Sequence, residues 1–76
     1  MNNTRDEKRL KEFGLQIRKF RKAKKLTLEG LAFEADIELS QVHRIEKGKI
    51  NPTLTTILLL ADALEISPSK LFDYYK

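Results

Sequence analysis

Between Leu39 and Lys47 the chain places Ser40, Gln41, His43, Arg44 and Lys47 around Val42 and Ile45. Residues three and four apart share one face of a helix, so with Val42 and Ile45 turned inward the polar side chains point outward to varying degrees. Their chemistry is that of hydrogen bonding to flat polar edges. A guanidinium such as Arg44 can give two parallel bonds to guanine O6 and N7, and a carboxamide such as Gln41 can pair with adenine N6 and N7. A hydroxyl such as Ser40 can meet either kind of edge. Each good pair contributes about 1–3 kcal/mol of discrimination between bases.

Other chemistries find little support. Cysteine is absent, which removes disulfides, thiolate metal sites and thiol nucleophiles together, and one histidine cannot build a metal site alone. No nucleophile with a neighbouring base and no pair of acids suggests catalysis, so no enzyme activity, cofactor or metal is expected, and no small-molecule ligand is evident. The longest strongly apolar stretch, Ile57 to Ala61, is far short of the roughly 20 residues a membrane span needs. With a polar N-terminus unlike a signal peptide, the expected location is the cytoplasm.

Charge is unevenly distributed. The net charge is +4, yet residues 1–25 hold ten basic and three acidic side chains, and the remainder is net acidic. A basic end suits a polyanion, although a run such as Arg18-Lys19-Phe20-Arg21-Lys22 can equally be a solvated helix face.

The elements that position these residues follow from periodicity. A chain of 76 residues forms one domain with one core, here residues 1–76 with 1–5 as a flexible arm. Thr4 and Glu7 form a capping-box pattern, and Leu10, Phe13, Leu15 or Ile17, Phe20 and Ala23 recur at helical spacing, predicting a first helix from about Asp6 to Lys24. Thr27 caps a second helix over Leu28 to Ala35, and Asp36, which tolerates the left-handed conformation, closes the next turn. A third helix runs from about Leu39 to Lys47 and stops at Gly48. Thr53 caps a fourth, striped by Leu54, Ile57, Leu58, Leu60, Ala61 and Leu64, and Ser67-Pro68 starts a fifth that carries Leu71, Phe72 and Tyr75. The predicted fold is all-α, five helices around one core.

Two short helices joined by a tight turn, the second with small and polar residues on its outer face, resemble the DNA-reading motif of phage repressors and Cro. The chain is similar to that XRE, or lambda-repressor-like, family at Ile17-Arg18, Arg21, Leu26-Thr27, Leu31-Ala32, Val42, Arg44-Ile45-Glu46 and Gly48. It continues so at Pro52-Thr53-Leu54, Ala61-Asp62-Ala63-Leu64, Ile66-Ser67 and Leu71-Phe72. It departs from the pattern where Asp36 and Glu65 replace usual glycines and Glu38 replaces a Ser or Thr cap.

The resemblance implies a prokaryotic or phage-encoded, nucleoid-associated regulator that reads double-stranded DNA with helices 2 and 3. Its base-contacting positions map onto Leu39, Ser40, Gln41, His43 and Arg44, with His43 open to a phosphate or surface role. Phosphates are expected at Lys47, Lys49, Asn51, the helix 2 N-terminus at Thr27-Leu28, Arg18 and Lys25. Arg21 and Glu46 are implied to pair and to support helix 3. A homodimer on a palindromic operator is expected, joined through Leu59, Phe72, Tyr74 and Tyr75, because so small a core cannot bury all the apolar residues at that end. Stand-alone repressor, restriction-modification controller and antitoxin all remain open, as does a helix-turn-helix used for protein–protein contact, which Glu34, Asp36 and Glu38 would favour.

Overall fold

The structure, a computed structural model, describes residues 3–75, with side chains from Asp6 to Tyr75. Among them five helices follow in order: α1 (Asn3–Ala23), α2 (Leu28–Ala35), α3 (Leu39–Glu46), α4 (Leu54–Leu64) and α5 (Pro68–Leu71). The α2, α4 and α5 starts lie where the hydroxyl caps predict them. Thr27 Oγ1 accepts from Gly30 N at 2.9 Å, Thr53 Oγ1 from Thr56 N at 3.2 Å and Ser67 Oγ from Lys70 N at 3.3 Å. Each hydroxyl satisfies an amide that the helix leaves without a carbonyl partner.

Helix ends are closed by one recurring device. Backbone bonds from Leu26 to Arg21, Ile37 to Ala32, Lys49 to Arg44 and Ile66 to Ala61, all 2.9–3.0 Å, wrap the ends of α1 to α4 as glycine-terminated helices usually do. That wrap needs a left-handed residue, and the structure finds it at Lys25 (φ 63°), Asp36 (φ 57°), Gly48 (φ 72°) and Glu65 (φ 58°). Asp36 and Glu65 therefore keep the backbone that the family's glycines supply, although each carries a Cβ.

Ile17, Leu31, Val42, Ile45, Leu60 and Leu71 are fully buried, and Phe13, Ala32, Ala35, Ala61 and Leu64 complete the core. Burying each large aliphatic contributes about 1.5–3 kcal/mol, which makes this cluster the main source of cohesion. Within it α3 packs against both α1 and α2, while α4 packs against α2, α5 and α1. Helix α3 is thus held from two sides. No helix among the described residues is long and apolar enough to cross a membrane.

Several expectations are corrected. Helix α1 begins at Asn3, so Thr4 lies inside it and is not its cap. Nothing in Asn3–Arg5 opposes helical backbone, and extending an existing helix needs no new nucleus. Of the arm expected over residues 1–5, Met1 and Asn2 lie outside the described residues. Between the two candidates on α1 the core takes Ile17, and Leu15 is exposed; Ala23 is exposed as well. Helix α3 ends at Glu46, with Lys47 as its cap. On α4, Leu54 and Leu58 are exposed, at 71% and 40%. At about 100° per residue the inward face is centred on Ile57, Leu60, Ala61 and Leu64, which leaves both leucines to one side. Helix α5 spans only Pro68–Leu71, so Phe72 and Tyr75 follow it in turn and coil.

Candidate nucleic-acid interface

The backbone of α1 touches the end of α3 without a side chain between them. A Cβ on Gly14 would stand 2.4 Å from the carbonyl oxygens of both Ile45 and Glu46, and one on Gly48 would stand 2.7 Å from Lys11 Cα. Since those atoms are backbone, only glycine permits this approach. In the sequence Gly48 signals a helix stop, while Gly14 carries only the general signal of a mid-helix glycine, which costs about 1 kcal/mol against alanine and so marks a packing or functional reason.

A polar clamp works beside the glycines. Arg21 Nε donates to Glu46 Oε2 at 2.6 Å and Nη2 donates to Oε1 at 3.0 Å, while Nη1 donates to the Leu26 carbonyl at 3.0 Å. The pair joins α1 to α3 and ties both to the loop before α2, as the resemblance implies. Both residues are buried, Arg21 at 7% and Glu46 at 8% exposure. Donation to the Glu46 carboxylate holds the Arg21 guanidinium above its ordinary range, against the opposing effect of burial. A two-pronged bond also fixes rotation about the contact, which a single bond would not.

With Val42, Ile45 and Glu46 buried, α3 turns the rest of its circumference to solvent. Ser40, Arg44 and Lys47 lie near the crest of the outward face at about 100° per residue. Leu39 is 44% exposed, His43 is exposed, and Gln41 is half-buried on one flank. All five residues expected at base edges therefore lie on this helix's accessible surface. Glu38 precedes it without making a side-chain cap.

The expected phosphate contacts are divided by the fold. Arg18, Leu28 and Lys47 come together with His43, Leu15 and Glu46 around one groove of about 400 Å³ between α1, α2 and α3. Thr27 and Lys49 are exposed close by in sequence, and Lys25 is exposed in the α1–α2 loop. Asn51 lies elsewhere, in a cleft lined by Arg9, Phe13, Pro52, Phe72 and Tyr75. Lys24, next to Lys25, pairs with Glu65 at the end of α4, and that bond holds the Glu65 carboxyl below its usual range.

The residues expected at a dimer contact fall on two sides of α4. Leu59, 39% exposed, borders a groove with Phe33, Ile37, Glu38, Gln41 and Thr56. Phe72, 41% exposed, stacks on Phe13 with ring centroids 5.4 Å apart, and Tyr74 packs edge-on to Tyr75. Burial, with Glu12 adding to it, pushes the Tyr74 hydroxyl above its ordinary range. Sequence reasoning missed Phe33, 85% exposed on α2, and the outward placement of Leu54 and Leu58.

Two short helices joined through a left-handed residue, the second held by its inner face and open along its outer one, define a helix-turn-helix. The sequence profile described as Helix-turn-helix (HTH_3) matches residues 17–71, and the chain belongs to this family, the XRE or Cro/lambda-repressor-like transcription regulators. It is 35% identical over 63 residues to the control protein C.BamHI of Bacillus amyloliquefaciens, covering 82% of this chain and 78% of that one. The crystal structure of the restriction-modification controller protein C.AhdI from Aeromonas hydrophila aligns with a TM-score of 0.81 at 44% identity, over 83% of this chain and 96% of the other. An HTH_3 family transcriptional regulator from Vibrio cholerae aligns with a TM-score of 0.85 at 27% identity, over 92% of this chain but 39% of that longer one. The protein is a small DNA-binding regulator.

Proposed function

We propose that the protein is a cytoplasmic, homodimeric controller of restriction-modification genes that binds a palindromic operator through α3. The observation that carries this reading is the match to C.AhdI across 96% of that controller at 44% identity. Antitoxin and stand-alone repressor gain no comparable support. Within the interface, Arg44 and Ser40 on the crest of α3 and Gln41 on its flank specify bases, with Leu39 against a thymine methyl. Arg18, Lys25, Lys47, Lys49, Asn51 and the α2 amides at Thr27-Leu28 meet phosphates.

The dimer reading rests on exposed apolar surface. Leu54, Leu58 and Leu59 line the solvent side of α4, and Phe72, Tyr74 and Tyr75 follow α5. Aromatic and aliphatic surface of this kind is characteristic of interfaces. A two-fold axis there would set the two reading helices about 34–36 Å apart on one face of the duplex.

Selection of bound sites from random duplex DNA tests the whole reading at once. A palindrome with half-sites one helical turn apart is the expected product; recovery of no enriched sequence refutes the operator reading. On the selected site Arg44→Ala is expected to lose about 1–3 kcal/mol and to relax preference at one position, whereas Lys49→Ala weakens all sequences alike. Equal losses on selected and random DNA for Arg44→Ala would remove Arg44 from the base-reading set.

A further inference from the structure

The groove between α1, α2 and α3 joins residues that the base-reading assignment treats separately. Arg18 comes from α1, Lys47 from the cap of α3, and His43 from α3 itself. The groups facing His43 across this groove are Leu15 and Arg18 of α1, Leu28 of α2, and Glu46 and Lys47 of α3. Glu46 is the one acid among them, and both of its oxygens are held by Arg21. Among the described residues Arg18, His43 and Lys47 form no ion pair. The groove therefore offers three basic side chains with no acid free to balance them. Leu15 and Leu28 form its apolar walls, which reduce solvent screening around whatever anion enters.

We propose that Arg18, His43 and Lys47 form one clamp for a DNA backbone phosphate and that His43 enters it as the imidazolium, which couples operator binding to proton uptake. The proposal rests on the DNA-binding reading and reassigns His43 from a base contact to a phosphate contact. An imidazole changes charge between about pH 5 and 8, whereas guanidinium and ammonium groups do not. A phosphate at the groove favours the charged form, so by linkage the protonated protein binds more tightly. Affinity rises as pH falls. The limit is one proton per protomer, a tenfold change per pH unit for each. His43 is the sole histidine of the chain.

Counterion release gives a second readout that a base contact would not move. Counterion release grows with the cationic charge set against the phosphates, steepening the dependence of log affinity on log salt by about 0.9 per charge, so the slope at about pH 6 should exceed that at pH 8 by up to 0.9 per protomer. The experiment measures salt titrations at both pH values on the selected site and on a random duplex, for the parent, His43→Gln and His43→Arg. The parent should show the pH-dependent slope on both duplexes, His43→Gln a shallow slope at both pH values, and His43→Arg a steep one at both. A parent slope and affinity that do not change with pH overturn the clamp, as does a His43→Gln protein that keeps the parent's pH dependence. A His43→Gln change that alters base preference while leaving the salt slope unchanged assigns His43 to the bases and also overturns it. Absence of binding to either duplex at low salt defeats the DNA-binding reading itself, a different result from binding without pH dependence.

Discussion

The Arg21–Glu46 pair can be tested for two roles that are usually confounded, stabilising the fold and aiming the reading helix. Glu46→Ala removes the carboxylate from Arg21 and leaves a buried guanidinium with only the Leu26 carbonyl at 3.0 Å. Breaking a well-buried pair from one side costs about 3–5 kcal/mol, and the surviving carbonyl bond places this case near the lower end, about 3 kcal/mol. A domain of 76 residues has a total stability of about 4–11 kcal/mol. The loss is a large share of it and should lower Tm by about 12–24 °C at roughly 4–8 °C per kcal/mol. Thermal unfolding of Arg21→Ala, Glu46→Ala and the double variant should give a double loss smaller than the sum of the singles; additivity within about 0.5 kcal/mol refutes the pairing.

The second role needs a variant that keeps stability. Arg21→Met combined with Glu46→Leu replaces the pair with apolar groups of similar size, a change that is often neutral or stabilising by about 1–4 kcal/mol. Such a protein loses the two-pronged bond that fixes α3 against rotation, so its operator affinity should fall while Tm is kept. Undiminished binding by a stable Arg21→Met/Glu46→Leu protein would mean that the pair contributes to stability alone and that the glycine contact suffices to set the angle.

Gly14→Ala is expected to lower stability by about 1–3 kcal/mol or more, and Tm with it, because its Cβ meets backbone oxygens at 2.4 Å. Helix propensity alone gives the opposite sign, a gain of about 1 kcal/mol, so a stabilised variant would show that α1 and α3 separate freely. Lys25→Gly should raise stability by about 0.5–1 kcal/mol, since relief of the left-handed strain at φ 63° exceeds the added freedom of the unfolded chain; a lower Tm contradicts it. Leu58→Lys with Leu59→Lys should remain folded, since both are exposed, yet run as a monomer in light scattering; a parent that is itself monomeric at high micromolar concentration refutes the interface.

Much of the frame is legible because its signals are local. Hydroxyl caps mark where α2, α4 and α5 begin, and the outward set of α3 follows from Val42 and Ile45 by helical geometry alone. What the sequence hides depends on contacts between distant segments. Leu54 and Leu58 look like core residues because α4 is apolar almost all round, and only the placement of α2, α5 and α1 decides which face is covered. Gly14 is silent for the same reason, since its partner is a backbone carbonyl more than thirty positions away. The Arg21–Glu46 pair, 25 positions apart, is legible only through family resemblance, because no spacing rule links positions so distant. Asp36 and Glu65 show that the backbone conformation is kept where the glycine is not, a fact visible only as φ.

The surroundings of α3 also order the way the molecule meets a duplex. Gln41 borders a groove that carries Asp36 and Glu38, whereas His43 on the opposite flank of α3, with Lys47 at the helix cap, borders the groove that carries Arg18. A phosphate backbone attracts the second flank and is repelled by the first. In the proposed complex this asymmetry seats one strand's phosphates in the basic groove and leaves the acidic side over the base edges or clear of the DNA. Carboxylates that weaken attraction to every sequence equally do not weaken a bidentate base contact, so total affinity falls while the ratio of specific to random binding is kept. The acidic residues at the α2–α3 turn, which on composition alone favour a protein-binding module, are therefore compatible with a DNA reader that depends on base contacts for its occupancy.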